Sequence, residues 1–269
     1  MDVNNKPIGV FDSGVGGLSV WLEIDRLLPN ESTVYYADNA NCPYGEKTRD
    51  EVIEHSAKAT QFLINKGCKI VVVACNTATS QAIDYLRKTF GIPFVGIVPA
   101  VKPAAINSKT GVIAILATAG TLKSKKFNDT KREFSGKTEV ILVEGGELVD
   151  IVENGLQGTK QSEEVLRNYI NPLMEGHIDH LVLGCTHFPF LIEDIRKITG
   201  DSVVLDDPAP AIAKRTKYIL EKERLMASPD NQKQIEFFAS GNIETLKNMV
   251  QNSVGIKSWM KFTANEKES

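Results

Sequence analysis

The run Ile70-Val71-Val72-Val73-Ala74 contains no polar position. An unbroken apolar run of that length suits a strand covered on both faces, as in a parallel sheet flanked by helices. Runs of similar character occupy residues 8–11, 33–37, 94–98, 112–116, 140–143, 180–183, 203–205 and 235–239. Between them lie longer segments with helical spacing, at 49–65, 79–90, 163–174 and 208–222. Strand and helix in alternation predict an α/β fold with mostly parallel sheets.

The alternation is also a repeat. Val71-Val72-Val73-Ala74-Cys75-Asn76-Thr77 matches Leu181-Val182-Leu183-Gly184-Cys185-Thr186-His187 in kind: an apolar strand, a small residue, a cysteine, then polar residues. Upstream, Val10-Phe11-Asp12-Ser13-Gly14 loosely matches Ile115-Leu116-Ala117-Thr118-Ala119-Gly120. Two Pro-bearing segments, Pro99-Ala100-Val101-Lys102-Pro103 and Asp206-Asp207-Pro208-Ala209-Pro210, each follow a strand and bound the second copy. The expected organisation is two pseudo-symmetric α/β domains with the active site in the cleft between them. Residues 1–98 plus 209–269 form the first, discontinuous domain, and residues 99–208 the second. The polar tail from Thr263 to Ser269 is expected to be disordered.

Composition removes several function classes. The 269 residues carry 31 Lys+Arg against 34 Asp+Glu, a formal charge of −3. That balance gives no electrostatic footprint for a nucleic acid. No apolar stretch is long enough for a membrane span, and the first residues lack a signal-peptide run. A cytoplasmic protein with no nucleic-acid or membrane partner is expected. Four cysteines are too few for a disulfide framework, and none form a C-x-x-C pair, so no structural zinc is expected.

The cysteines instead point to chemistry. In open α/β sheets ligands bind at the carboxyl ends of strands. A helix N-terminus there lowers a thiol's pKa. One strand-end cysteine is more often a packed apolar group; Cys75 and Cys185 at equivalent positions of a repeat favour function. Two thiols facing each other across a cleft suit inversion of a stereocentre, with a base on one face and an acid on the other. Asp12-Ser13-Gly14-Val15-Gly16-Gly17-Leu18 reads either as an anion cradle or as a tight turn that needs glycine. It matches neither the dinucleotide fingerprint nor a phosphate-binding loop. Asp12 itself reads equally as a cap or a catalytic carboxylate. Cys42 and Cys68 have no partner in the repeat and are read as non-catalytic. His55, His177 and His180 read as surface residues, whereas His187 lies two residues past Cys185. Glu153, from its own neighbours alone, reads as a helical surface residue.

Taken together, Asp12-Ser13-Gly14 with Gly16-Gly17-Leu18, Pro43-Tyr44-Gly45, Ala74-Cys75-Asn76-Thr77-Ala78, Ala117-Thr118 with Gly120-Thr121, and Gly184-Cys185-Thr186-His187-Phe188-Pro189 resemble the glutamate racemase family. The resemblance runs from about residue 8 to about residue 213. It implies interconversion of L- and D-glutamate for peptidoglycan synthesis, by two cysteines and without metal, nucleotide or pyridoxal phosphate. It implies Cys75 and Cys185 as the acid/base pair, Asp12 in support of Cys75, and His187 and Glu153 in support of Cys185. Substrate contacts are implied for Asp12, Ser13, Tyr44, Gly45, Asn76, Thr77, Thr118, Thr121, Thr186 and His187, and a homodimer is expected. The chain departs from the family pattern at Gly145-Gly146, where many members carry Cys-Pro. That departure leaves Glu147 as an alternative to Glu153. The rival readings are an aspartate or hydantoin racemase, a cleft-binding protein without catalysis, and an amidase with a cysteine nucleophile.

Overall fold

Strands β1 (Ile8–Asp12), β2 (Thr33–Ala37), β3 (Ile70–Val73), β4 (Phe94–Gly96), β9 (Ile235–Ala239) and β10 (Met260–Ala264) form one sheet, in the order β10-β9-β2-β1-β3-β4. Strands β5 (Val112–Ala117), β6 (Glu139–Glu144), β7 (His180–Gly184) and β8 (Val204–Asp206) form a second, in the order β6-β5-β7-β8. The computed structural model describes residues 4–98, 100–134, 138–258 and 260–264. Every strand pairing among these residues is parallel.

The sequence repeat is visible as topology. The block β2-β1-β3-β4 has the same order as β6-β5-β7-β8, so β3 with Cys75 after it corresponds to β7 with Cys185 after it. The first sheet adds β9 and β10 at its β2 edge. In each block the chain reverses its winding direction beside β1 or β5, which opens a crevice at the carboxyl ends of β1 and β3, and of β5 and β7.

The unbroken apolar runs become central strands because both faces are covered: β1, β2, β3 and β7 are buried at every position. Edge strands β6, β8 and β10 alternate or are half exposed. Helix Leu18–Leu27 is fixed to the first sheet by Trp21, whose ring meets Phe237 edge-on at 5.0 Å. Helix Arg49–Asn65 begins with a reciprocal Thr48–Glu51 capping box. The largest apolar cluster contains Ile8 and Val72 of the first sheet and Leu116 and Leu183 of the second, so the two halves share a continuous core.

Three expectations need correcting. Strand β10 lies partly in the segment expected to be disordered, with Thr263 and Ala264 paired to Phe238 and Ala239; the rest of that tail is outside the described residues. The helix expected over 79–90 spans Asn76–Thr89, because the Cys75 sulfur caps it. His180 is not a surface residue: it is 6% exposed and bonds Asp206 through Nδ1 at 2.8 Å. Pro99, at the first expected domain boundary, is outside the described residues. No helix among the described residues is long and apolar enough to cross a membrane.

Candidate active site

Strand β1 delivers Asp12 into the crevice with no exposed surface. One carboxylate oxygen accepts the Gly14 amide at 3.1 Å, and the other accepts the Thr186 hydroxyl at 3.2 Å, a bond from the opposite half. Burial pushes the Asp12 carboxyl above its usual range, against the opposing pull of His187 and of the Gly14 amide. Beside it, the Cys75 sulfur accepts the Ala78 amide at 3.4 Å, and its thiol donates to Ser13 Oγ at 3.7 Å.

The helix N-terminus does not win at Cys75. Burial, and after it the charge of Asp12, push this thiol upward; the Ala78 amide and Ser13 pull it down by less. The expectation of an easily ionised thiol at this position is therefore reversed in the closed site. Cys185 differs in its surroundings. It is followed by Thr186 and His187 and then a 3-10 turn, Phe188–Leu191, so it caps no α-helix. Its neighbour is His187, with Nδ1 at 3.6 Å from the sulfur.

His187 is gripped on its other side. Its Nε2 lies 2.7 Å from Glu153 Oε1. Burial alone would lower the imidazole, but its contacts with Cys185, Cys42 and Glu153 hold it well above the ordinary histidine value. Burial would likewise raise Glu153, and His187 and the Val15 amide outweigh it. Both shifts favour the charged forms, an imidazolium beside a carboxylate.

Both thiols line one cavity of only about 10 Å³, room for roughly one water, together with Ser13, Tyr44, Gly45, Asn76, Thr77, Thr118, Thr186 and His187. Small-molecule sites usually occupy about 300–1,000 Å³, so this one is closed down. Donors that a ligand would use are paired across the cleft instead. Thr77 Oγ1 lies 3.0 Å from Thr118 Oγ1 and 3.3 Å from Thr121 Oγ1. Asn76 is the exception, since neither of its buried side-chain polar atoms has a partner among the described residues. A wider depression outside shares Gly45 with the cavity and includes Gln81 and Gly120, whose Nε2–O bond of 3.1 Å joins the two halves there.

Cys42, Glu153 and His187 place three possible metal-ligating atoms within 4.8 Å of one another. That donor set suits zinc in kind, but the short His187–Glu153 hydrogen bond fills the space between two of the atoms.

The Asp/Glu/Hydantoin racemase family profile matches residues 8–216. A glutamate racemase of Herpetosiphon aurantiacus is 40% identical over 240 residues, covering 89% of this chain and 94% of that protein. The chain belongs to the glutamate racemase family. Among solved structures, a glutamate racemase isoform of Bacillus anthracis superposes with a TM-score of 0.87, at 32% identity and 98% coverage of both chains. The Escherichia coli glutamate racemase, solved with L-glutamate and the activator UDP-MurNAc-Ala, gives 0.84 at 33% identity, over 96% of this chain and 98% of that one. The family makes this chain an amino-acid racemase, an isomerase that acts on a small molecule.

Several residues sit differently from the sequence reading. Glu153 is no surface residue: its side chain is 16% exposed and reaches the opposite half, while Glu147 is exposed and bonds Tyr169. The Tyr44 hydroxyl donates to Asp38 at 2.6 Å rather than into the cavity. The glycine-rich loop does cradle an anion, but a resident one: the Val15 amide donates to Glu153 at 2.8 Å. Its glycines answer close approach rather than turn geometry. None of Gly14, Gly16 and Gly17 has positive φ, and a Cβ at Gly16 would meet the His187 ring at 2.4 Å. Cys42, set aside for want of a repeat partner, lies 3.7 Å from Glu153 Oε1. Ser19, which joins the halves through a 3.0 Å bond to the Thr186 carbonyl, had no signal in the sequence beyond its place in the helix.

Proposed function

We propose that the chain interconverts L- and D-glutamate by moving the α-proton between Cys75 and Cys185, with no cofactor. The observation that carries this is that two thiols from equivalent strand ends line one closed cavity. For L-glutamate, the Cys185 sulfur takes the proton and the Cys75 thiol delivers one to the opposite face; for D-glutamate the roles exchange. Cys75, pushed upward by burial and by Asp12, is suited to hold the proton it delivers. The His187–Glu153 pair gives Cys185 an oriented, charged partner. The carbanion is carried by exclusion of water and by donors at its carboxylate, a role this reading gives to Asn76 and the hydroxyls of Thr77, Thr118, Thr121 and Thr186.

The closed cavity implies a cycle. The Thr77–Thr118 and Gln81–Gly120 bonds break to admit substrate and re-form, or are replaced by substrate contacts, on closure. The reading extends to D-glutamate supply for peptidoglycan, and to a cytoplasmic homodimer whose residues 1–98 with 209–269, and 99–208, act as the moving bodies. All four cysteines are free, as thiol chemistry in a reducing compartment requires. The deciding experiment is racemisation by Cys75→Ala and Cys185→Ala in metal-free buffer. Each is expected to lose about 10⁴-fold, the upper end for a missing acid or base. Near-normal racemisation by either variant sinks the proposal.

A further inference from the structure

Glu153 belongs to the second half, yet much of what holds it belongs to the first. Its Oε1 accepts the Val15 amide at 2.8 Å and faces the Cys42 thiol at 3.7 Å, besides its bond to His187. Gly14 supplies the room, because a Cβ there would lie 1.9 Å from Oε1 and 3.1 Å from the Cys42 sulfur. Nothing in the two-thiol reading uses Cys42.

We propose that Cys42 is a positioning residue: with the Val15 amide it receives the Glu153 carboxylate across the cleft on closure, and so couples closure to the orientation of His187 against Cys185. The inference rests on the two-thiol reading. Glu153 has a single oxygen shared among three donors from both halves, so separation of the halves removes two of them at once. The carboxylate then turns to water, and the imidazole loses the anchor that aims Nδ1 at the Cys185 sulfur. Closure restores both. Burial above all pushes the Cys42 thiol up to about 11, which keeps it protonated and a donor at neutral pH. The titratable groups that face this network are Asp12, Tyr35, Cys42, Cys185, His187 and Glu153.

The test compares Cys42→Ala, Cys42→Ser and Gly14→Ala by their pH profiles of kcat/KM on L-glutamate, with a thermal melt of each. Cys42→Ala is expected to lose about tenfold at neutral pH. Its profile should also narrow. Glu153, short of a donor, protonates at higher pH, and His187, less supported, loses its proton at lower pH. Cys42→Ser keeps a donor and should recover to within about threefold of wild type with the original width. Gly14→Ala keeps the thiol but blocks docking, and should narrow the profile as Cys42→Ala does; if Cys42→Ala fails to fold, this variant and Cys42→Ser carry the test. A wild-type profile for Gly14→Ala or Cys42→Ala overturns the proposal. So does a Cys42→Ser enzyme as impaired as Cys42→Ala. Cys185→Ala assayed alongside separates the two claims: racemisation by that variant refutes the two-thiol reading, whereas its loss beside an unaffected Cys42→Ala refutes this inference alone.

Discussion

Replacing Gly16 by alanine should disable catalysis while leaving a folded protein. The added methyl would lie 2.4 Å from Nδ1, 2.6 Å from Cε1 and 2.7 Å from Cγ of His187. That is about 1 Å inside an ordinary contact, and it presses on a whole ring face rather than a flexible tip. His187 is 1% exposed and tied through Nε2 to Glu153, so the ring has no open space to enter. The methyl therefore displaces Nδ1 from its place 3.6 Å from the Cys185 sulfur. A displacement of about 1 Å in a positioned group costs about 100-fold in rate, equal to about 2.7 kcal/mol of barrier. The overpacking itself should cost about 1–3 kcal/mol of stability, with no backbone penalty because Gly16 has no positive φ. Gly146→Ala is the control, since a Cβ there meets nothing within 4 Å. Racemisation of each glutamate enantiomer followed by circular dichroism, beside a melt, reads both effects. Gly16→Ala retaining about a third or more of wild-type kcat/KM, or losing activity only as its folded fraction falls, refutes the reasoning.

Asn76→Ala removes two buried polar atoms without partners among the described residues, so Tm should hold or rise while kcat/KM falls about 10–100-fold; matched losses of Tm and activity would assign Asn76 to the fold instead. Lys69→Met breaks a buried pair with Glu31 at 2.6 Å, whose side chains are 1% and 2% exposed. It should cost about 3–5 kcal/mol in urea unfolding, with kcat unchanged; an unaltered unfolding curve contradicts this. Burial would raise the Asp179 carboxyl, but the Ser108 hydroxyl and the amides of Lys109 and Thr110 bring it down to about 2. Its contribution is therefore complete above an unfolded value near 3.8 and is lost as pH falls through about 2. Asp179→Asn should flatten the acid side of the stability curve in that window, and an unchanged slope counts against the assignment.

The central strands β1, β2, β3 and β7 are legible in the sequence because their apolar runs record burial on both faces. Strand β10 is not, because at an edge Met260-Lys261-Phe262-Thr263-Ala264 needs only one covered face. Its Phe262 is nonetheless stacked on Phe237 at 4.9 Å. Cys75 and Cys185 are legible because the repeat marks them twice. Glu153 is marked only through the family resemblance and Cys42 not at all, for one physical reason: they meet in a contact between residues 111 positions apart, and no local period encodes it. The same holds for Gly14 and Gly16, where the sequence shows small residues and only the structure shows the carboxylate and imidazole for which they make room. The direction of the Cys75 shift depends on burial outweighing a helix terminus, a balance that spacing along the chain does not contain.

The most direct test of two thiols on opposite faces is the early fate of deuterium. Wild-type enzyme is given L-glutamate in D₂O, and both enantiomers are separated and analysed by mass spectrometry at low conversion. Thiol protons exchange with solvent, so delivery from a second thiol should give D-glutamate carrying α-deuterium while the remaining L-glutamate stays almost wholly protiated. Starting from D-glutamate the pattern should invert. Deuterium appearing in the starting enantiomer as fast as in the product would mean one base serving both faces, and would contradict the assignment of Cys75 and Cys185 as an opposed pair.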